Sequence, residues 1–595
     1  MTERMNGAKR TNYCGELTAE LTGKRVTVCG FVQKQRDLGN LIFIDLRDRT
    51  GIVQLAFNDQ TARDVFEKAG EARSEFVLMA AGTVARRESV NREIPTGEVE
   101  ILVDELKILG RAETPPFEIV ENSNVKEELR LKYRYLDLRR PDLQKNIIIR
   151  HRITKAARDF FDEQGFIEIE TPMLIRSTPE GARDFLVPSR VHEGTFYALP
   201  QSPQLYKQLL MVSGFDRYVQ FARCFRDEDQ RADRQPEFTQ IDLEMSFVDV
   251  EDVMEVGEGF VRHLFKKVLD IDIPAPLPRL TYREAMERYG SDKPDTRFGL
   301  EIRDLSDLVK GCGFSVFTSA CETGSVRCIC VPDGAAAYSR KELDKLTEFV
   351  KGIGAKGLAW MKVNSDGLQA SFAKFMNEEE LAAIVSRAEA KEGDLILIVA
   401  DPKNSVVLPT LGALRGETAK KLGLIPEGAY NFLWITQFPF FEWDEDSQSY
   451  LAMHHPFTAP MDEDIPLLDT DKGQVRAKAY DLVLNGVEMS SGSIRITDPA
   501  LQKKMFASLG LSDEEAQEKF GFLTDAFRYG APPHGGMGLG LDRLVMIMLG
   551  GKSIRDVLAF PKVQNMSELM TECPAPVDRE QLEELHIELA KDEKP

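Results

Sequence analysis

Residues 536–543 read Gly536-Met537-Gly538-Leu539-Gly540-Leu541-Asp542-Arg543, and the apolar run Leu544-Val545-Met546-Ile547-Met548-Leu549 follows directly. Glycine at every second position predicts a strand that another backbone or a flat ligand approaches closely, since glycine has no side chain. The apolar run is too continuous for a surface helix and predicts a buried one. Arg543 then lies at a strand-to-helix junction, where a guanidinium can bind phosphate or stack on a base. The alternative is a glycine-rich strand with a solvent-facing arginine, because short glycine patterns also occur by chance.

Two earlier stretches decide between these alternatives. The first is Gly165-Phe166-Ile167-Glu168-Ile169-Glu170-Thr171-Pro172, and the second is Phe225-Arg226-Asp227-Glu228, a polar loop and Arg234-Gln235-Pro236-Glu237-Phe238. Together with residues 536–549 they resemble motifs 1, 2 and 3 of the class II aminoacyl-tRNA synthetases, in the same order. Arg134-Tyr135-Leu136-Asp137-Leu138-Arg139-Arg140 is similar to the signature that precedes motif 1 in the aspartate/asparagine/lysine subgroup. Over nearly the whole chain the sequence resembles the bacterial aspartyl-tRNA synthetases.

Size and composition limit the possible classes of protein. A chain of 595 residues with 43% apolar residues predicts three or four packed domains. No apolar run approaches the roughly 20 residues that span a bilayer, so we expect no membrane partner. The eight cysteines form no Cys-x-x-Cys pair, which gives no support to a zinc site and suits a reducing cytoplasm. The net charge of −21 opposes long-range attraction to nucleic acid, although basic residues cluster near residues 24–36 and 130–140.

The pattern predicts a multidomain α+β protein whose first domain, residues 1–110, is an OB-fold barrel. Five strand-like segments lie at residues 26–32, 41–46, 52–57, 76–84 and 99–109, with a helix-like segment at 61–72. A generic small β-domain is the alternative. The resemblance implies an anticodon-binding domain, in which Phe43 stacks on a base, Gln54 reads a base edge and Arg36 meets phosphate. Periodicity alone leaves Phe43 as barrel core an open alternative.

The rest of the chain divides into a catalytic domain and its additions. We predict a linker or hinge at residues 111–140, catalytic parts at 141–297 and 431–566, and a C-terminal extension at 567–595. The catalytic fold that the resemblance implies is the class II antiparallel sheet, with a bacterial α+β insertion domain at 298–430. A helix at 146–164 ends at Gly165, and the resemblance implies that this helix and the motif 1 strand form a homodimer interface. Gly290-Ser291-Asp292-Lys293-Pro294-Asp295 is predicted to interrupt secondary structure.

The implied reaction joins L-aspartate to ATP and then transfers aspartate to tRNA(Asp). Neither step needs a protein nucleophile, so arginines, metal ligands and substrate-binding groups are expected to do the chemistry. The catalytic candidates are Arg226, Glu488 and Arg543, with Arg226 holding the α-phosphate and the attacking carboxylate together. The ATP-binding candidates are Arg226, Asp227, Glu228, Gln235, Phe238, Glu488, Gly540, Leu541, Asp542 and Arg543.

A carboxylate pair suggests a magnesium site. Asp481 and Glu488 flank Asn485-Gly486, which predicts a hairpin turn that brings the two carboxylates to one site. Oxygen ligands of this kind suit Mg²⁺ on ATP phosphates. An isolated pair would more often be exposed to solvent; alignment with the metal-binding acids of the family favours Mg²⁺.

The segments 201–207 and 491–496 resemble the substrate-clamping segments of the family. Lys207 and Arg495 would hold the side-chain carboxylate of aspartate, since two cations leave a neutral amide poorly paired. Glu180, in a segment that looks like the flipping loop with Gly181 as hinge, would meet the ammonium group. The aspartate-binding candidates are Glu180, Gln204, Leu205, Tyr206, Lys207, Arg226, Asp242, His454 and Arg495. We reject zinc at His454-His455, because adjacent histidines in a strand point in opposite directions.

Other functions remain open from the sequence. A non-discriminating synthetase would also charge tRNA(Asn); relatives of that kind often carry His where Leu38 stands, so Leu38 favours the discriminating form. A synthetase-like RNA-binding regulator without catalysis is the alternative from another class. Arg226, Glu488, Arg495 and Arg543 argue against it.

Overall fold

The computed structural model describes residues 2–177, 181–228, 234–444 and 448–590. The chain forms two compact units: Met1–Arg150 with Arg555–Pro576, and His151–Ile554 with Val577–Pro595. Glu180, predicted to bind the substrate ammonium, lies outside the described residues. Among the residues that the structure describes, no helix has both the length and the apolar character to cross a bilayer.

The first unit contains a closed barrel with the strand order β1-β2-β3-β5-β4. Its strands and the helix between the third and fourth confirm the predicted OB-fold. They are β1 (Arg25–Asp37), β2 (Ile42–Asp48), β3 (Gly51–Phe57), α1 (Arg63–Glu71), β4 (Val77–Arg86) and β5 (Val99–Gly110).

Alternation of side chains between the two faces of β2 decides the position of Phe43. Along β2, Ile42, Ile44 and Leu46 are buried, whereas Phe43 and Asp45 lie on the outer face and are partly exposed. Successive residues of a strand point to opposite faces, so the apolar set fills the interior. Phe43 is therefore not part of the barrel core.

The segment after the barrel forms two short helices, α2 (Glu127–Lys132) and α3 (Arg134–Asp137), and the start of α4 (Pro141–Glu163). The fully buried Asp137 accepts hydrogen bonds from three arginines, Arg130, Arg134 and Arg140. Arg134 also donates to the carbonyl oxygens of residues 555, 558 and 559. The signature before motif 1 thus holds the two chain segments of the first unit together, since a buried carboxylate is stable only when it is paired.

The second unit is built on an eight-stranded sheet with the order β11-β17-β20-β21-β22-β10-β9-β6. Its inner pairs are antiparallel, as predicted, whereas β11 pairs with β17 and β6 with β9 in parallel. The strands are β6 (Ile167–Glu168), β9 (Arg217–Phe225), β10 (Glu237–Ser246), β11 (Arg279–Thr281), β17 (Phe432–Thr436), β20 (Ala479–Leu484), β21 (Val487–Ile494) and β22 (His534–Gly540).

The second unit also contains helices and two small hairpins. The helices are α5 (Gln204–Val212), α6 (Val250–Leu269), α7 (Tyr282–Tyr289), α14 (Pro499–Ser508), α15 (Asp513–Phe527), α16 (Leu541–Met548) and α17 (Arg579–Glu584). The hairpins are β7 (Leu186–Pro188) with β8 (Phe196–Ala198), and β18 (Phe441–Asp444) with β19 (Ser449–Ala452). Helix α16 buries most of its side chains, which confirms the buried helix predicted after Arg543.

An inserted sheet with the order β12-β13-β16-β14-β15 lies between α7 and β17 in the chain. Its mixed helices and strands agree with the predicted α+β insertion. The elements are β12 (Arg303–Asp304), α8 (Ser306–Val309), α9 (Ser315–Ala320), β13 (Ser325–Val331), α10 (Gly334–Ala337), α11 (Arg340–Ile353), β14 (Ala359–Asn364), β15 (Gly367–Ala370), α12 (Glu378–Arg387), β16 (Leu395–Asp401) and α13 (Asn404–Leu422).

Candidate active site

The glycines of β22 make room for side chains of the neighbouring strand. Gly536 lies opposite Glu244 and Gly538 opposite Asp242 on β10. A Cβ atom at Gly536 would overlap the Glu244 carboxylate, and one at Gly538 would overlap the amide of Gln240. The close neighbours that the alternating pattern predicted therefore include polar side chains of β10.

A cleft of about 440 Å³ opens at the Gly540 end of this strand. Of the predicted ATP-binding residues, those that line it are Arg226, Glu228, Gln235, Phe238, Glu488, Gly540, Asp542 and Arg543. Asp227 and Leu541 are not among its lining residues. The backbone N–H of Asp227 instead donates to the carbonyl oxygen of Arg183 at 3.1 Å.

Arg543 is held at the mouth of the cleft and does not extend freely into solvent. Its Nη1 donates to the carbonyl oxygen of Glu488 at 2.7 Å, and the side chain is half-buried. The neighbouring Asp542 is buried and accepts from the backbone N–H of Thr239 at 2.9 Å, which ties the start of α16 to β10. The guanidinium therefore faces the cleft from a fixed position.

Strand β9 ends at Phe225, so the motif 2 residues Arg226 and Glu228 lie in the loop beyond it. Both residues line the cleft. The Arg226 guanidinium lies 5.2 Å from the centre of the Phe238 ring. Glu228 pairs with Arg234 at 2.7 Å. An arginine over an aromatic face is a stable arrangement that keeps the cation accessible to a phosphate.

The predicted hairpin between the two carboxylates is confirmed. β20 and β21 are antiparallel, and Asn485 and Gly486 both have positive φ, at 53° and 82°. Asp481 is buried, and its Oδ1 has no hydrogen-bond partner. Burial raises the pKa of Asp481 well above its usual value, and the Glu488 carboxylate raises it further. The two carboxylates therefore act on one another, as expected for groups that lie close together.

A second cavity, of about 230 Å³, lies beside the cleft. The predicted aspartate-binding residues that line it are Gln204, Leu205, Lys207, Arg226, Asp242, His454 and Arg495. Tyr206 is not among its lining residues. Arg226, Gln240, Ser491 and Gly538 line both cavities, so the two spaces adjoin at Arg226.

Buried charges form the wall of this cavity. Lys207 Nζ pairs with Asp242 and lies 3.2 Å from Glu244 Oε2, and Arg495 Nε lies 2.9 Å from Glu244 Oε1. The side chains are 0–3% exposed, so two cations and two anions lie together away from water. Burial works to raise the pKa of Glu244, but Arg495 and Lys207 hold it at about 2. Glu244 thus contacts both cations that were predicted to bind aspartate. It could have been found from the sequence, because it stands two residues after Asp242 and therefore lies on the same face of the strand.

His454 and His455 lie in a loop after β19, and both line the second cavity. The strand geometry assumed for them was wrong, because β19 ends at Ala452. His455 Nε2 lies 2.6 Å from Arg495 Nη1, which makes it a site residue that the sequence analysis missed. Burial lowers the pKa of His454 to about 4, and that of His455 well below its usual value, with Arg495 adding to both shifts. Both imidazoles are therefore neutral at pH 7, so His455 Nε2 accepts from the Arg495 guanidinium.

On the barrel, Arg36, Phe43 and Gln54 lie close to one another. Arg36 Nη2 donates to Gln54 Oε1 at 3.0 Å, and its guanidinium lies 5.7 Å from the centre of the Phe43 ring. Gln54 Nε2 donates to Glu100 Oε2 at 2.6 Å. Leu38, in the turn between β1 and β2, is 69% exposed. The barrel therefore carries a partly exposed aromatic ring beside a cation and the buried, fixed amide of Gln54, a combination that suits unpaired bases.

Comparison with known proteins agrees with this geometry. The family tRNA synthetases class II (D, K and N) matches residues 126–564, and the family OB-fold nucleic acid binding domain matches residues 26–109. The aspartate–tRNA ligase of Ruminiclostridium cellulolyticum is 60% identical over 100% of both chains. The aspartate–tRNA(Asp/Asn) ligase of Caldanaerobacter subterraneus is 59% identical over 99% of this chain and 100% of that one.

Solved structures show the same fold at lower identity. Asparaginyl-tRNA synthetase from Pyrococcus horikoshii, in complex with asparaginyl-adenylate, aligns with a TM-score of 0.58 at 19% identity, covering 93% of this chain and 98% of that one. A putative aspartyl-tRNA synthetase from Leishmania major aligns with a TM-score of 0.60 at 21% identity, covering 94% and 95%. With the full-length relatives and the cavities that meet at Arg226, these matches show that the chain belongs to the bacterial-type aspartyl-tRNA synthetases, within class II.

Proposed function

We propose that this protein activates L-aspartate with ATP to aspartyl-adenylate and then transfers aspartate to the 3′ end of tRNA(Asp). The observation that carries the proposal is the shared wall of the two cavities, in which Arg226 borders both. The larger cleft is proposed to take ATP and the smaller one aspartate, so the aspartate α-carboxylate and the α-phosphate would meet at this guanidinium.

Charge stabilisation at this junction supplies the chemistry. The aspartate α-carboxylate oxygen bonds to the α-phosphorus while the bond to the pyrophosphate oxygen breaks, and pyrophosphate leaves with the electron pair. Arg226 neutralises negative charge on the reacting phosphorus oxygens, which is the usual protein contribution to such transfers. Arg543, held on the Glu488 carbonyl, provides a second fixed cation in the same cleft.

Aspartate selection follows from the buried charges. The substrate side-chain carboxylate would bind Lys207 and Arg495, whose positions are fixed by Glu244. The neutral amide of asparagine offers less charge to these cations, and sites that leave buried polar groups unpaired discriminate strongly. Asp242 and, outside the described residues, Glu180 are proposed to face the ammonium group.

Asp481 and Glu488 fit a magnesium ion. Among the described residues the Asp481 Oδ1 atom is buried without a partner, and burial and the Glu488 carboxylate raise the pKa of Asp481, which a divalent cation would relieve. When bound, Mg²⁺ would neutralise phosphate charge and orient the triphosphate.

For tRNA recognition we propose that the Arg36, Phe43 and Gln54 surface binds the anticodon. We also propose a homodimer formed through the motif 1 helix and strand, as in the family. Partly exposed apolar side chains at Ile167 (49%) and Leu174 (51%) support a partner surface there. All eight cysteines carry free thiols, which suits the proposed cytoplasmic location.

The range of tRNA substrates is the second question. Four relatives at 58–59% identity are named for tRNA(Asp/Asn), which keeps the non-discriminating form as a candidate function. We propose the discriminating form on the strength of Leu38, whose exposed side chain lies in the turn next to the anticodon surface.

The test is aspartate-dependent exchange of labelled pyrophosphate into ATP, followed by charging of tRNA(Asp) and tRNA(Asn) transcripts. We expect exchange with aspartate and no exchange with asparagine. Charging of tRNA(Asp) alone supports the discriminating form, and charging of both transcripts shows the non-discriminating form. Absence of exchange by the folded protein contradicts the proposed activity.

A further inference from the structure

The segment Gly290-Ser291-Asp292-Lys293-Pro294-Asp295, noted in the sequence only as an interruption of secondary structure, reaches the ATP cleft. It follows α7, whose C-terminal residue Tyr289 precedes Gly290 in the left-handed region at φ 67°. The segment then leads towards β12 of the inserted sheet. Within the second unit, Lys293 is one of the residues that line the larger cleft.

Several contacts fix this segment. Asp295 pairs with Arg297 at 2.7 Å, and its Cβ lies where a side chain at Gly486 would come within 3.1 Å. Helix α13 supplies the 2%-exposed Arg415, which donates to the carbonyl oxygens of Asp295, Gly299 and Leu300 at 2.9–3.2 Å. Burial lowers the pKa of Arg415 to about 10, so the guanidinium still carries its charge at neutral pH. The inserted segment therefore holds the loop against the β20–β21 hairpin.

Within the part of the chain that the structure describes, the Lys293 ammonium has two ion-pair partners, and both contacts are loose. Its Nζ lies 3.7 Å from Glu488 Oε2 and 3.6 Å from Asp292 Oδ1, and the side chain is 44% exposed. These separations exceed the usual hydrogen-bond range, in contrast to Arg297 and Asp295 in the same loop. A lysine in this state is a mobile point charge that can turn to a stronger anion.

We propose that Lys293 is a phosphate-binding residue that contacts the β- and γ-phosphates of ATP and the pyrophosphate that leaves. This inference rests on the proposed function. Arg226 borders both cavities, so the α-phosphate is expected to lie beside it. Lys293 lines only the ATP cleft, beside Glu488, and is not among the residues that line the aspartate cavity. Among the described cleft residues, Arg234 is already paired with Glu228 at 2.7 Å, which leaves Lys293 better placed to meet added phosphate charge.

The role in the reaction is electrostatic. As the oxygen of the aspartate α-carboxylate bonds to the α-phosphorus, the bond to the bridging oxygen breaks and its electron pair stays on pyrophosphate. The Lys293 ammonium keeps its proton and stabilises the negative charge that develops on this leaving group. The later transfer of aspartate to tRNA involves no pyrophosphate, so it does not need Lys293.

The test compares Lys293→Met, Lys293→Arg and the control Lys345→Met, an exposed lysine of α11. We expect Lys293→Met to raise the KM for pyrophosphate and ATP and to slow adenylate formation about 100-fold, the lower end of the range for removal of one charge-stabilising donor. The KM for aspartate and the single-turnover transfer from isolated enzyme-bound adenylate to tRNA(Asp) should stay unchanged. Lys293→Arg should restore part of the loss, and Lys345→Met should match the wild type.

The outcomes separate this inference from the proposed function. Wild-type protein without exchange activity contradicts the proposed function itself. Normal exchange by the wild type with an unchanged KM for pyrophosphate in Lys293→Met overturns only the role of Lys293. An equal loss of adenylate formation and of transfer to tRNA would also overturn it, since a merely structural lysine affects both steps. If Lys293→Met folds poorly, the KM for pyrophosphate in Lys293→Arg decides: a shift supports phosphate contact, and an unchanged value refutes it.

Discussion

Replacement of Lys207 by methionine tests the buried charge cluster directly. The substitution keeps much of the side-chain volume and removes one cation next to Asp242 and Glu244. Arg495 then faces two buried carboxylates alone. Removing one partner of a buried ion pair costs about 3–5 kcal/mol because it leaves uncompensated charge away from water. We expect the free energy of unfolding of the second unit to fall by an amount in this range, and aspartate activation to be lost.

The loss of stability in Lys207→Met should depend on pH, and the structure determines whether it grows or shrinks as pH rises. Burial already raises the pKa of Asp242, and Lys207 is the largest opposing influence, so its removal raises this pKa further. A carboxyl group whose pKa is higher in the folded than in the unfolded state holds extra protons when folded, and stability falls as pH rises between the two values. The limit is about 1.4 kcal/mol per pH unit for one group. We expect Lys207→Met to be about 1–2 kcal/mol more destabilised at pH 8 than at pH 5.5.

Urea unfolding followed by tryptophan fluorescence is a suitable assay. The tryptophans, Trp360, Trp434 and Trp443, all lie in the second unit, and Trp434 is fully buried in its core. Lys345→Met is the matched control and should show no pH-dependent difference from the wild type. A loss below about 1 kcal/mol, or an equal loss at both pH values, would refute the argument that the cluster is held by mutual neutralisation.

Three further outcomes follow from the geometry. Gly536→Ala should push β22 away from the Leu243 carbonyl oxygen of β10 and displace the Glu244 carboxylate, and so raise the KM for aspartate more than the KM for ATP; equal effects on both would contradict the register argument. Gln54→Ala should lower kcat/KM for tRNA(Asp) by about 10- to 100-fold, as for loss of a base-reading contact, while pyrophosphate exchange stays normal. Asp481→Asn should raise the melting temperature of the ligand-free protein, because it replaces a buried carboxyl group of raised pKa with a neutral amide. It should also increase the magnesium concentration that half-saturates pyrophosphate exchange. A lower melting temperature would argue against unrelieved charge at Asp481.

The sequence predicted the barrel well because its strands are short runs rich in apolar residues, separated by polar and glycine-containing turns. Each of the five predicted segments overlaps a strand of β1–β5, and the helix at 61–72 overlaps α1. The predicted motif 1 strand was less accurate, since β6 covers only Ile167–Glu168. Short edge strands carry little periodicity, and their extent depends on the neighbouring strand.

The cavity residues that belong to a recognisable motif could be predicted from the sequence. Those that reach the cavity only because of how the chain packs could not. Ile241-Asp242-Leu243-Glu244-Met245 has the alternation of a strand with one solvated face, which hides the burial of Glu244 beneath Lys207 of α5. His455 was missed as a site residue because the prediction for residues 454–455 assumes a strand, whereas Pro456 indicates a loop. Lys293 was missed because its loop comes near the cleft only through packing against the β20–β21 hairpin and α13.

The fixed amide of Gln54 has a consequence for the timing of decoding. Its Oε1 accepts from Arg36 and its Nε2 donates to Glu100 before any RNA arrives. These bonds fix which side of the amide is the acceptor and which the donor, and each atom keeps one further hydrogen-bonding position for a base. A mismatched base meets this fixed amide with the wrong groups, and such encounters end quickly, since affinity differences between related complexes reside mainly in dissociation rates. Under our proposal for this surface, anticodon selection is expected as a difference in residence time, with correct and incorrect tRNAs arriving at similar rates.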